Sequence, residues 1–284
     1  MSYNTRKNWQ DSLEFLLANP VIFVPFAVIG FLEGLALEIL YFSSRPPISL
    51  ITSPIVRKFF GEAFTHYPAN FILMPQLFFY WQVVIYVFAG VFLTAIAINI
   101  YKNLKSNTPL TPRAMVNNAQ RRYAAFMGFG IIMVALLYIT KNIDLFVINK
   151  ALGLVSGQLP NLAVKIKPVT TMLVLFLTNV VVMVFTISAV PLMVIRNRSL
   201  LKALSESFLL GLGNFLSLFS LLLAPFLLYL PINMMKGNPA QIARMISPEA
   251  VAYVTIAGIF VNILVDCFVA VCASYFVMDK IKEK

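Results

Sequence analysis

The chain has 284 residues, 60% of them hydrophobic and only 12% charged, with a mean hydropathy of +0.85. A water-soluble domain carries about a quarter charged residues, so a soluble core is excluded, and so is disorder, which needs low hydrophobicity. The 22 Lys and Arg against 11 Asp and Glu give a net charge of +11, but the cations stand in short clusters between apolar runs, as in loops that touch anionic lipid headgroups and not as on a nucleic-acid surface.

In chain order, residues 8–18 interleave Trp9, Leu13, Phe15, Leu16 and Leu17 with Asp11 and Glu14, after Lys7. That pattern predicts an amphipathic surface helix. About 20 apolar residues cross ~30 Å of hydrocarbon, and the first such run is 20–42. It is too long for a signal sequence and lacks a small-x-small cleavage site, so it reads as a retained span. Ser53-Pro54 opens a second short helix, in which Ile55, Phe59, Phe60 and Phe64 oppose Arg57, Lys58 and Glu62. The second span, 71–101, contains Pro75, and a bend is expected there. Thr111-Pro112 opens a basic helix ending at Arg121-Arg122, just before the third span at 123–140. Residues 144–164 read as another surface helix. Spans four, five and six follow at 169–195, 208–234 and 251–278. The expected fold is one all-α integral membrane domain over residues 1–284: a polytopic bundle of six transmembrane helices with amphipathic interfacial helices.

An even number of spans puts both termini on one face. That face collects Arg6, Lys7, Lys102, Lys105, Arg113, Arg121, Arg122, Arg196, Arg198, Lys202, Lys280, Lys282 and Lys284, thirteen of the 22 cations. The positive-inside rule makes it cytoplasmic. Arg113, Arg121, Arg122, Arg196, Arg198 and Lys202 are the expected contacts to anionic headgroups. Tyr41, Tyr80, Trp81, Tyr101, Tyr123 and Tyr275, near span boundaries, suggest an interfacial aromatic belt.

Two lead-ins echo each other. Asp11-Ser12 is followed by an apolar stretch and Asn19, and Glu206-Ser207 by an apolar stretch and Asn214, each Asn seven residues after its Ser. The physical reading is a short helix, a break at Asn, then a span. Residues 113–123 are a candidate third copy without an Asn in register, which would make the protein three repeated hairpins.

At these residues a family resemblance enters. The lead-in W-x-x-S-x-x-F-x-x-x-N-P-x-x-F-x-P-F at 9–26, with K-A-L-x-x-S-x-x-x-G-x-x-N at 202–214, resembles the YciC-like six-span proteins of bacteria and archaea. These are similar to the membrane domain of some glycerophosphodiester phosphodiesterases. The resemblance implies a prokaryotic cytoplasmic membrane and a membrane module. No stretch of this sequence suits the catalytic barrel, so no catalytic residue is carried over.

Polar residues within the spans are the sharpest chemical signal, because an ionised side chain at mid-bilayer costs at least a few kcal/mol. Glu33 and Glu38 lie in span one, Asn179 in span four, and Asn262 and Asp266 in span six. At ~1.5 Å per residue, Glu33 and Asp266 sit at similar depth, roughly 20 Å from the cytoplasmic ends of their spans. No Lys, Arg or His falls within these spans, so the acids must be protonated, paired with polar neighbours, hydrated, or neutralised by a bound cation. Gly258, Asn262, Asp266, Ala270 and Ser274 recur every four residues as one stripe, and Gly30-x-x-x-Gly34 permits close approach of span one. Spans one and six are therefore expected to pack, with Glu33 or Glu38 near Asn262 and Asp266. Thr171, Asn179 and Thr186 would extend the polar seam.

Cofactor and metal chemistry finds no support. Cys267 and Cys272 fall on different helix faces, His66 is the lone histidine, and no P-loop, GxGxxG or GxSxG motif occurs. Two functions stay open. One is a non-enzymatic membrane module or complex subunit, with a protein partner or as a homo-oligomer. The other is a small transporter or channel coupled to protons or cations through the intramembrane acids. An intramembrane lipid enzyme lacks a nucleophile–base pair.

Overall fold

The computed structural model describes residues 5–108, 111–156 and 160–282. They contain no β-strand. That follows from the medium: lipid offers no hydrogen-bond partners, so each segment must satisfy its own backbone, as a helix does. Six of the helical stretches described are long and apolar enough to cross a bilayer: Pro20–Tyr41, Ala69–Lys105, Tyr123–Gly153, Lys167–Ile195, Phe215–Lys236 and Ala250–Lys280. The chain is a multi-pass membrane protein.

Each pair of spans starts with a short lead-in helix. Helix α1 (Thr5–Ala18) precedes α2 (Phe23–Tyr41), and α3 (Ser49–Phe60) lies in the following loop. Span two joins α4 (Ala69–Ile85) to α5 (Val91–Lys105) through a π-helical turn, Tyr86–Gly90. Helix α6 (Pro112–Gln120) leads into α7 (Tyr123–Ser156), which returns as α8 (Pro160–Thr186) and α9 (Ala189–Ile195). Helix α10 (Leu200–Gly213) leads into α11 (Phe215–Lys236), then α12 (Pro239–Met245) and α13 (Ala250–Lys282).

The three hairpins interlock cyclically. Helix α1 packs on α13, α6 on α5, and α10 on α8 and α9, so every lead-in clamps the returning span of another hairpin. The Asn breaks are built alike. Asn19 Nδ2 donates to the Phe15 carbonyl at 2.9 Å and Asn214 Nδ2 to the Leu210 carbonyl at 3.1 Å. Both bonds reach four residues back and satisfy a carbonyl left over where the lead-in helix stops. The serines of the echo are both fully buried. Ser207 donates to the Phe185 carbonyl at 2.8 Å, while Ser12 donates to Asn8, whose amide reaches the Cys272 carbonyl at 3.3 Å. Gly211 is required at its crossing, since a Cβ there would lie 3.0 Å from the Val184 carbonyl oxygen and 3.1 Å from Phe185 Cα.

The core sits around α9, where Ala189 through Val194 are all buried. Phe126, Leu218, Leu221, Leu222 and Phe276 close on it. Leucine is as soluble in lipid as in protein, so this cluster is held by close packing more than by expulsion from water. Long apolar side chains such as Leu17, Leu50, Leu201 and Leu216 point outward, as a lipid-facing surface requires.

Several expectations need correction. Residues 144–164 form no separate surface helix: α7 continues to Ser156 and α8 starts at Pro160, with 157–159 outside the described residues. Span five begins at Phe215 and not at 208, because Asn214 ends α10 first. Helix α1 buries its polar Asn8 and Ser12 while exposing Leu13 and Leu17. A helix pressed between protein and lipid turns its hydrogen-bonding face to the protein. Tyr101 is no belt residue. It is buried beneath α1, edge-on to Phe15 at 4.9 Å between ring centroids. Helix α3 begins at Ser49, four residues before the expected cap, and carries Pro54 inside. Its Leu50, Ile51, Ile55 and Phe59 are exposed. Lys284 lies outside the described residues.

Candidate functional site: a central cavity with two carboxylates

The hairpins surround a partly open cavity of ≈ 150 Å³ to whose wall all six spans contribute. Span one supplies Glu33, span two Tyr86 and Thr94, span three Phe129, span four Thr186, span five Phe226 and span six Asp266. Tyr86 and Gly90 reach the wall from the π-helical turn, whose extra residue re-aims the helix face. Close packing of α2 on α13 brings the acids together. Gly30 lies against Ile263 with no room for a Cβ, whereas Gly34 has open space within 4 Å.

Glu33 is 8% exposed, and its Oε1 accepts a hydrogen bond from Gln82 Nε2 at 3.0 Å. Asp266 is exposed by accessible surface and lines the same cavity as Glu33. Thr94 and Thr186 give their hydroxyl protons to the Gly90 and Val182 carbonyls, at 2.9 and 3.0 Å, which leaves their oxygens as acceptors.

The expected lack of a counter-ion is overturned. Lys236, at the last turn of α11, folds back between α11 and α13 toward Glu33. Its ammonium donates to Tyr229 Oη at 3.2 Å and lies 5.6 Å and 5.5 Å from the Phe78 and Tyr229 ring centroids. Gly258 makes room for it, since a Cβ there would come within 2.6 Å of Nζ. Lys236 attracts Glu33 without reaching the 4.0 Å of a direct ion pair. Side chains of a helix lean toward its N-terminus, so a lysine at the C-terminal end of this span naturally reaches back into the bundle. Asn262 lies beside the Tyr229 hydroxyl, one turn from Asp266. The span-six stripe thus runs from Lys236 at Gly258, past Tyr229 at Asn262, to the cavity at Asp266 and Ala270.

Two further recesses flank this node. On the face opposite the termini, a recess of ≈ 360 Å³ contains Gln82, Tyr229, Asn233 and Lys236. On the face of the termini, one of ≈ 430 Å³ holds Asn99, Lys102, Arg121, Arg122 and Asn197. Gln82 belongs to the first recess while its partner Glu33 lines the cavity. The Gln82–Glu33 hydrogen bond thus links the walls of the two spaces.

The remaining candidates lie elsewhere. Glu38 is five residues from Glu33, about 140° around the helix. It opens onto an outer groove of ≈ 600 Å³ between α2 and α13, together with Glu249 and Tyr253. Asn179 is exposed on α8, away from the cavity. Arg122 is occupied structurally: its guanidinium donates to the Met193, Asn197 and Arg198 carbonyls at 2.8, 3.2 and 3.3 Å, and Lys102 reaches the Ile195 carbonyl at 3.4 Å. These cations serve the carbonyl end of α9, where the helix dipole is negative. Arg196 and Arg198 pair with Glu206 at 3.7 and 2.9 Å. Arg113, Arg121 and Lys202 are exposed on the face of the termini, where headgroups would lie. No group of three or more His, Cys, Asp or Glu that could hold a metal ion occurs among the described residues. Gln82 and Lys236 are site residues the sequence did not single out. The signal that finds them is polarity within one turn of a span end or in mid-span, acids or not.

No family model, no curated protein and no solved structure matches the chain.

Proposed function

We propose that the protein is a non-enzymatic membrane transport module in which Glu33 and Asp266 load and release a proton or small cation within the central cavity. The observation that carries this reading is a cavity walled by all six spans that joins two carboxylates, one of which, Glu33, is hydrogen-bonded to Gln82 in the wall of the recess on the opposite face. Ionised acids at mid-bilayer are expensive, and they accompany ion pathways. Both termini are cytoplasmic in this reading, because thirteen of 22 cations fall on their side. The lead-in motifs around Asn19 and Asn214 support placement among the YciC-like six-span proteins of prokaryotic inner membranes.

Reconstitution into liposomes with an internal pH-sensitive dye tests the proposal. An imposed potential should drive proton or cation-coupled flux in the wild type, and Asp266→Asn or Glu33→Gln should lower it at least tenfold with thermal unfolding shifted only slightly. A protonated carboxyl and an amide have similar shape and hydrogen bonding, so folding should survive. Wild-type flux no greater than that of empty liposomes would refute transport. It would favour the second reading, a complex subunit docking through the apolar groove between α2 and α13, which Phe31, Tyr253 and Phe260 line.

A further inference from the structure

Glu33 shares the cavity wall with Asp266 and lies within electrostatic reach of Lys236 from the neighbouring recess. With all three ionised the set carries a net −1, in surroundings where one uncompensated charge costs about 3 kcal/mol or more. One monovalent positive charge restores neutrality. The other titratable groups facing the acids are Tyr86 from span two, Tyr229 from span five and Cys267 on span six itself. None of these gains a positive charge on protonation. Spans three and four present Phe129, Met133, Met183 and Thr186, which do not titrate. The missing charge is therefore a proton on one carboxyl or a bound cation, and either excludes the other.

The wall decides the kind of cation. A bare metal ion wants six or more oxygens converging on it; the two carboxylates and two threonine hydroxyls total six, but they stand amid Phe26, Phe129 and Phe226, and no group of three or more His, Cys, Asp or Glu that could hold a metal ion occurs among the described residues. An ammonium group needs only three acceptors, and aromatic faces attract it. Asp266 opens into the cavity with no hydrogen-bond partner among the described residues. A volume of ≈ 150 Å³ is one that admits a benzene-sized body, as a cavity of similar volume in another protein does.

We propose that the central cavity takes up a small protonated primary amine with a benzene-sized apolar body in exchange for one proton; this rests on the transport reading above. The ammonium enters already charged, one carboxyl O–H bond breaks, and the proton leaves to water. The resulting carboxylate holds the ammonium, and the net charge of the cavity is unchanged.

Benzylamine is the probe, benzyl alcohol and sodium chloride are the controls, and the purified full chain in detergent micelles is the sample. Titration calorimetry in two buffers of different ionisation enthalpy counts protons. One proton should leave per benzylamine bound, and affinity should fall about tenfold per pH unit on the acid side. Neither control should release protons. Asp266→Asn should weaken binding at least tenfold. Ala270→Leu, which fills the wall and leaves both acids in place, should do the same, so the test does not depend on one variant folding. Benzylamine that fails to bind the wild type, binds both variants equally well, or binds without proton release overturns the proposal. Proton flux in liposomes that persists without benzylamine binding would overturn the amine assignment alone and leave the transport reading standing. Loss of both would overturn both.

Discussion

Replacing Gly258 by alanine tests whether the Lys236 ammonium is held inside the bundle. The new Cβ would sit 2.6 Å from Lys236 Nζ and 2.7 Å from Cε, while Ile232 Cγ2, at 3.2 Å, could yield slightly. The obstructed atoms are the free end of a flexible chain, so the lysine swings out and the helices stay. Leaving costs the bond to Tyr229, about 1.5–3 kcal/mol for a charged donor, and two ring contacts of roughly 0.5–1 kcal/mol each. Alanine returns about 1 kcal/mol of helix propensity. The expected net loss is about 1.5–4 kcal/mol, read as a lower unfolding temperature in micelles by intrinsic fluorescence. Gly34→Ala, with no atom within 4 Å of its Cβ, should be neutral or gain up to about 1 kcal/mol. Combining Gly258→Ala with Lys236→Met completes the argument. If the glycine acts by admitting the lysine, the second change adds little to the first, and the coupling exceeds about 1 kcal/mol. Additivity within about 0.5 kcal/mol would refute the reasoning.

Gly211→Ala should destabilise by about 1–3 kcal/mol through overpacking against the span-four backbone, whereas Gly213→Ala, with open space around it, should not; thermal unfolding of the pair checks this. A pH effect is expected at the start of α13. Its own backbone N–H and the Ser247 hydroxyl hold the half-buried Glu249 carboxyl below the ordinary range. A lowered carboxyl contributes stability above its unfolded value of about 4.3 and loses it as pH falls through the lower folded value. Hydrogen exchange across 250–253 should therefore lose protection at the acid end in the wild type, and Glu249→Gln should show the reduced protection at every pH.

The six spans were readable in the sequence because hydropathy is a local property and lipid forces each apolar run into a helix. The breaks at Asn19 and Asn214 were readable for the same reason, since a side chain that bonds the carbonyl four residues back acts within its own turn. The meeting of spans one and six was foreshadowed by the stripe at Gly258, Asn262 and Asp266 and by Gly30. Which of two acids joined it was not: Glu33 faces the cavity and Glu38 the outer groove. The tilt and rotation of α2 decided that, and they depend on neighbours far away in the chain. The same holds for α1, where the pattern suggested an amphipathic surface helix but not which face would meet protein; packing against α13 buried Asn8 and Ser12. Lys236 lies beyond the predicted end of span five, so a count of charges within spans passes over it. Only the juxtaposition of α11 with Gly258 of α13 gives its four-carbon stem a channel back to Glu33. Sequence determined what each segment must be in lipid, and tertiary packing decided which polar groups share one cavity, because that depends on helix rotation and on the gaps that small residues leave between spans.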